Sequence, residues 1–341
     1  MKKQIKQGAN LKVGATVIAL VVLGVFGYQM RGEVQGSQAF TIFPPHIPTD
    51  SIYVSDSFGA SDNNTGLTPQ DPLRSLHKAS LVVKQQNGLI KYVNIIGDPN
   101  PDDATKLEYA VMTSDLQNIA GLTPIDFGNS LVAIRPNAPA KQIRLYNSNY
   151  QNGGGMLGLL GTGGVRVDGL WMDKMALKFD VNSIAYVNNC RFVMPGSYDG
   201  LVLDSVKRVV LTGNIFEPLD NTSEDLDQVD VFIPKDGTFT ATGNAFTLPN
   251  LANPQSGDIF RALVLRVAKG TSGQATITGN TFKTFGTNSP VGANADVQKM
   301  GVWLEGGINV VANQNNFTYF NGMHQVLYSL GGTSENLTFG G

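Results

Sequence analysis

Three short stretches decide the fold: Leu211-Thr-Gly-Asn-Ile-Phe216, Ala241-Thr-Gly-Asn-Ala-Phe246 and Ile277-Thr-Gly-Asn-Thr-Phe282. Val187-Asn-Asn-Cys-Arg-Phe192 and Ala312-Asn-Gln-Asn-Asn-Phe317 repeat them more loosely, and Val167-Asp-Gly-Leu-Trp-Met172 is a degenerate earlier copy. Their last residues lie 20, 24, 30, 36 and 35 residues apart. A constant motif at a variable spacing marks a repeat whose core is fixed and whose loops vary. Apolar residues alternate before each polar pair, the period of a strand with one buried face.

A second alternating stretch occurs in each repeat. It runs Ala176–Phe179, Gly200–Leu203, Asp230–Ile233, Ala262–Leu265, Gly301–Leu304 and Gln325–Tyr328. No amphipathic helix separates the strands. Repeats of this length without helices predict the coils of a parallel β-solenoid. A propeller blade needs about four strands in roughly 40 residues, more than these repeats hold.

Stacking then gives the repeated residues their roles. Equivalent positions of a solenoid recur about every 4.8 Å along its axis. Asn214, Asn244, Asn280 and Asn315 are expected to form an amide ladder at one turn, with Cys190 in the same position. Met172, Phe192, Phe216, Phe246, Phe282 and Phe317 are expected to form an apolar column beside it. These residues build the fold.

Before the repeats, Ser51–Ser55 reads as a strand and residues 56–71 as a loop rich in Gly, Asn, Asp and Ser. Pro72–Val83 reads as a helix with Leu73, Leu76, Ala79, Leu81 and Val83 on its apolar face. Such a helix would close the open end of the solenoid. Ile52-Tyr-Val-Ser55, the Gly59–Gly66 loop and Pro72–Ala79, together with the Thr-Gly-Asn-x-Phe rungs, resemble the pectin-lyase-like superfamily of right-handed parallel β-helices over about residues 51–339. The resemblance implies an all-β, right-handed β-helix. It implies no single activity, because the superfamily holds polysaccharide lyases and hydrolases, phage tailspikes and non-catalytic surface proteins.

The N-terminus carries a different signal. Residues 13–30 form an 18-residue run without a charge, preceded by Lys2, Lys3, Lys6 and Lys12. At 1.5 Å per residue the run spans about 27 Å, enough to cross a bilayer core. The lysines place residues 1–12 inside and the bulk of the chain outside. Ser37-Gln-Ala39 offers the alternative of a cleaved signal peptide. Residues 31–50, with Pro44, Pro45 and Pro48, read as a stiff linker to a β-helix over 51–341.

Composition narrows the functions. A net charge of −2 and only 15% charged residues argue against a nucleic-acid partner. One cysteine excludes an intrachain disulfide, and His46, His77 and His324 show no metal-ligand spacing. Alternation about Leu201 and Leu203 turns one column outward: Asp180, Asp204, Pro234, Arg266, Glu305 and Ser329. Beside it run Lys178, Val202, Phe232, Val264, Trp303 and Leu327. Asp180, Asp204, Arg266 and Glu305 are therefore the catalytic candidates of a glycoside hydrolase or lyase. Trp303 and Phe232 are candidates for stacking on sugar. The alternative is solvated strand ends and an apolar column covered by a loop.

Asn-Thr-Asp, Asp-Asp, Gly-His-Gly and Arg-Ile-Lys, signatures of the superfamily's hydrolases, do not occur in those forms. The acidic stretch Glu217–Asp236 reads as a solvated loop, with calcium as the alternative. Gly161-Thr-Gly-Gly164 reads as a turn or a close contact between coils. The expectation is a membrane-anchored, surface-exposed β-helix with a structural or receptor- or glycan-binding role, as on a virion or a bacterial envelope, and a polysaccharide-cleaving enzyme is the alternative. A homotrimer or a partner protein is expected to cover the last rung.

Overall fold

The computed structural model describes residues 50–116, 124–138, 141–147, 155–180, 183–194, 199–218, 226–248, 259–283, 298–318, 325–330 and 338–340. The proposed anchor at 13–30, the basic segment 1–12 and nearly all of the linker lie outside these residues, as does the covering of the last rung. Among the described residues no helix is long and apolar enough to cross a membrane.

Strands dominate, and they assemble into three sheets of ten, nine and eight strands. The first sheet runs from Ser51–Ser55 to Thr338–Gly340, the second from Asp98–Asn100 to Asn316–Thr318, and the third from Ile125–Asp126 to Gln325–Leu330. Successive strands visit the three sheets in turn. Arg208–Thr212 is in the first, Ile215–Glu217 in the second and Leu226–Ile233 in the third, before Thr238–Thr242 returns to the first. Strands of neighbouring turns pair in parallel. The exception is Asp98–Asn100, antiparallel to Asp103–Ala110 at the start of the second sheet. This winding is compatible with a β-solenoid, and each repeat supplies three strands.

The polar pair of each repeat makes the corner between the first and second sheets. Its first residue takes a left-handed backbone: Gly213, Gly243 and Gly279 have φ of 64°, 63° and 65°. Glycine adopts this conformation without a Cβ clash, whereas Asn189 and Gln314 hold it at 52° and 56°. The second residue forms the expected ladder. Asn244 donates from Nδ2 to Asn280 Oδ1 at 2.9 Å and to Leu211 O at 3.1 Å. Its Oδ1 accepts the Asn214 backbone N–H and Asn214 Nδ2, both at 2.9 Å. Asn280 repeats this with Asn315 at 3.0 Å. Cys190 ends the series, its N–H bonded to Asn214 Oδ1 at 3.0 Å. Burial pushes its thiol up to about 12, so this cysteine is inert.

Two positions further on the aromatic column forms. Phe192, Phe216, Phe246, Phe282 and Phe317 stack with ring centroids 4.7–4.8 Å apart and nearly parallel planes. Met172 pairs with Phe192 and extends the column. The first-sheet strands add Val187, Leu211, Ala241 and Ile277 to the same core.

The helix is Leu76–Gln85, starting four residues later than Pro72–Val83 would give. Leu73 lies before it in an extended bridge to Val54. Ser75 caps the helix, its Oγ accepting from Lys78 N–H at 3.1 Å. The Asp115 carboxylate, from a distant turn, accepts the N–H groups of Leu76 and His77 at 3.0 and 2.8 Å. Leu76, Ala79, Ser80 and Val83 are buried. Leu81 instead faces water at 37% exposure, a correction to the expected apolar face. The buried side chains join the core of Ile52 and Val54, as a cap on the first rung requires. Gly163 is the close coil contact that its run suggested: a Cβ there would sit 2.1 Å from Asn129 O.

Candidate functional site on the third sheet

Register in the third sheet differs from the expectation in two rungs. Asp204 pairs with Phe232, Phe232 with Arg266, and Arg266 with Glu305. Phe232 therefore belongs to the column assigned to Pro234, and Asp230 takes the neighbouring column with Val202, Val264 and Trp303. The shift is two residues. It keeps the same side chains inward, and the apolar pattern alone cannot detect it. In the last rung the shift is one: Leu327 pairs with inward Val302, and Leu330 rather than Ser329 with Glu305.

Of the four catalytic candidates, the fold brings Arg266 and Glu305 together, Nε to Oε2 at 3.3 Å. Asp180 instead faces Lys178 at 3.4 Å. Asp204 accepts from Ser205 Oγ at 3.1 Å and is exposed. Trp303 is not a bare platform, because its Nε1 donates to Glu305 Oε1 at 2.8 Å and the Arg261 guanidinium lies 5.0 Å from its ring centroid. Phe232 is half-buried, one rung before Arg266.

The acidic stretch is the larger correction. Leu226–Ile233 is a strand, and it carries Asp227 and Asp230 into this same patch. Asp227, 3% exposed, is ion-paired with Arg261 Nε and lies 3.5 Å from Arg266 Nη2. Asp230 pairs with Arg266 Nη1, and its other oxygen is buried without a hydrogen bond among the described residues. Asp199, one rung earlier, accepts the Asp227 N–H at 3.1 Å. One oxygen from each of the three aspartates lies within 4.8 Å of the others. They are close enough to share a cation, and Arg261 and Arg266 pair with two of them, Asp227 and Asp230.

Alternation failed here for a local reason. Strand pairing is interrupted at Gln228, Ala262 and Gly301, and Ala262 and Leu263 are both buried in succession. Asp227 and Asp230, three residues apart, thus meet in one network although period two puts them on opposite faces. A usable signal did exist. Aligning Val229-Asp-Val231 with Leu263-Val-Leu265 sets Asp227 against Arg261, opposite charges directly across the pair.

Electrostatics follow from burial. Three carboxylates, Asp227, Asp230 and Glu305, share two guanidiniums, and a fourth, Asp199, lies beside them. Burial, helped by Asp199 and Asp230, pushes Asp227 up to about 7 against the pull of Arg261. Burial also raises Asp199 and Asp230. A carboxyl whose folded pKa is raised stabilises the fold when protonated, and that stability is lost as pH rises through its folded value. Each tenfold gain in proton affinity is worth about 1.4 kcal/mol. The melting temperature is therefore expected to rise as pH falls from 8 to 6, and Asp227→Asn is expected to flatten that slope. Asp115, raised by burial to about 6, keeps the slope below pH 6 in the variant. An unchanged slope between pH 8 and 6 in Asp227→Asn would remove Asp227 as its source.

No protein-family model matches this chain, and no curated protein matches it. The site is therefore read from its own geometry.

A second network lies on the second sheet. Arg144 joins Glu108 to Asp173, and Arg191 holds Glu217 at 2.7 Å. Both guanidiniums lie over Trp171, 5.5 and 4.7 Å from its centroid. These cations occupy the indole faces that a sugar ring would need, so the cluster reads as a clamp between rungs.

Proposed function

We propose that this chain is a single-pass membrane protein that displays a right-handed, pectin-lyase-like β-helix outside the membrane. There it serves a structural or receptor- or glycan-binding role, of the kind found on a virion or a bacterial envelope. The hand follows from the strong right-handed preference of crossovers between parallel strands. Residues 13–30 and the preceding lysines support the anchor and its orientation.

The observation that carries the binding role is the ion-paired state of the third-sheet patch. Arg261 and Arg266 hold the carboxylates that acid–base chemistry would need free. With four carboxylates to two guanidiniums, the patch also repels a polyuronate, which favours neutral glycan or protein as the ligand. A screen of the full-length chain in detergent against neutral and acidic polysaccharides, with and without calcium, tests this reading. Binding without release of reducing or unsaturated ends is expected. Cleavage abolished by Asp227→Ala would replace it with an enzyme.

That enzyme is the second reading, a glycoside hydrolase or lyase. Asp227 at about 7 has the proton affinity of a general acid, and Asp230 and Asp199 stand close enough to act as its partner. The 3% exposure of Asp227 stands against it.

A further inference from the structure

We propose that the cleft between the end of the Leu76–Gln85 helix and the turn at 128–131 is a separate site for one neutral sugar residue. It rests on the reading of the chain as a glycan binder but uses a surface distant in sequence from the third-sheet patch. Lys84, Asn87, Gly88, Gly128, Asn129 and Ser130 line the cleft.

Its polar groups are left over after the fold is made. Ser130 is 8% exposed, and its hydroxyl has no hydrogen bond among the described residues. The hydroxyl lines the open cleft, where it can both donate to and accept from a ligand. The Asn87 amide also has no partner among the described residues. Asn129 accepts from Thr162 Oγ1 through its Oδ1, which fixes the amide and leaves Nδ2 to donate. Two glycines set the width. A Cβ on Gly128 would press the Lys84 stem at 3.1 Å, and one on Gly88 would face Ser130 Oγ at 3.9 Å. Each wall then continues into an exposed leucine, Leu89 at 58% and Leu131 at 54%.

The chemistry selects the ligand. The one ammonium, Lys84 Nζ, is paired with Asp126 Oδ2 at 2.9 Å, so the cleft has no charge to spare for a phosphate, a carboxylate or a metal ion. Two amides and a hydroxyl both donate and accept, as sugar hydroxyls do. Exposed leucines beside them suit the C–H face of a pyranose.

Saturation-transfer NMR on the full-length chain with glucose, galactose, mannose and N-acetylglucosamine tests this. Ser130→Ala and Asn129→Ala are each expected to weaken binding of at least one sugar by about tenfold or more. Lys207→Ala, an exposed position just before the strand Arg208–Thr212, is expected to leave that binding unchanged. Circular dichroism of each variant checks that the fold is intact, and exposed Asn129 is the safer of the two cleft substitutions. Binding that survives both cleft variants would overturn the cleft, and its loss in Arg266→Ala would then assign it to the third-sheet patch. Binding of none of the four sugars, or capture of peptides instead, would overturn it as well.

Discussion

Phe246→Ala is expected to lower the stability of the chain by about 4–8 kcal/mol, seen as a fall in the urea midpoint. Phe246 is 1% exposed, and truncating a buried Phe costs about 3–5 kcal/mol through lost burial and the cavity left behind. The remainder comes from two stacking contacts at 4.8 Å, one to each neighbouring rung. Such aromatic pairs contribute about 0.5–1.5 kcal/mol each. Phe317, at the far end of the described stack, is half-buried, so Phe317→Ala is expected to cost less. Equal losses at the two positions would mean that the column does not act as a stack. Because each rung contacts only its neighbours, the weakened rung is also where unfolding should begin.

Asn244→Ala is expected to cost about 3–5 kcal/mol although no charge and little apolar surface are removed. The substitution strips partners from the Asn214 backbone N–H, the Asn214 amide and the Leu211 carbonyl. Each buried polar group left unsatisfied costs about 1–3 kcal/mol. Asn244→Asp is expected to be no better. A carboxylate cannot donate to Leu211 O or Asn280 Oδ1, and at 1% exposure it would be a buried charge. Thermal unfolding of the two variants beside the parent chain checks both values. A loss below about 1 kcal/mol in Asn244→Ala would mean that water replaces the amide.

The two positions show why the fold was legible in the sequence. Stacking forces the same physical demand on every rung, so a left-handed corner, a ladder amide and a core ring recur as Thr-Gly-Asn-x-Phe. The demand is local, and the motif survives loops of any length. The third sheet makes no such demand. Its rungs share only inward apolar residues, and a slip of two residues satisfies them equally, which is how Phe232 came to be placed beside Trp303. The site was readable in half for the same reason. Arg266 and Glu305 emerged because their two rungs keep plain alternation. Asp227 and Asp230 did not, because the break at Gln228 turns both into one network. The neighbouring prolines, acids and glycines made their strand look like a loop. The cleft by Ser130 had no signal at all, since it joins a helix end to a turn some forty residues later.

The register of the third sheet is the claim on which the patch depends, and a pair of cysteines measures it directly. Native Cys190 is buried and inert, so it does not compete. Asp204 and Phe232 are paired across neighbouring rungs, and the spacing of about 4.8 Å between adjacent strands falls in the range of about 4.4–6.8 Å between Cα atoms that a disulfide needs. The variant Asp204→Cys with Phe232→Cys is expected to form an intramolecular disulfide under mild oxidation. Asp204→Cys with Pro234→Cys, the pairing that plain repeat alignment gives, is expected not to. The reverse outcome would contradict the register and separate Asp227 and Asp230 from Arg261 and Arg266.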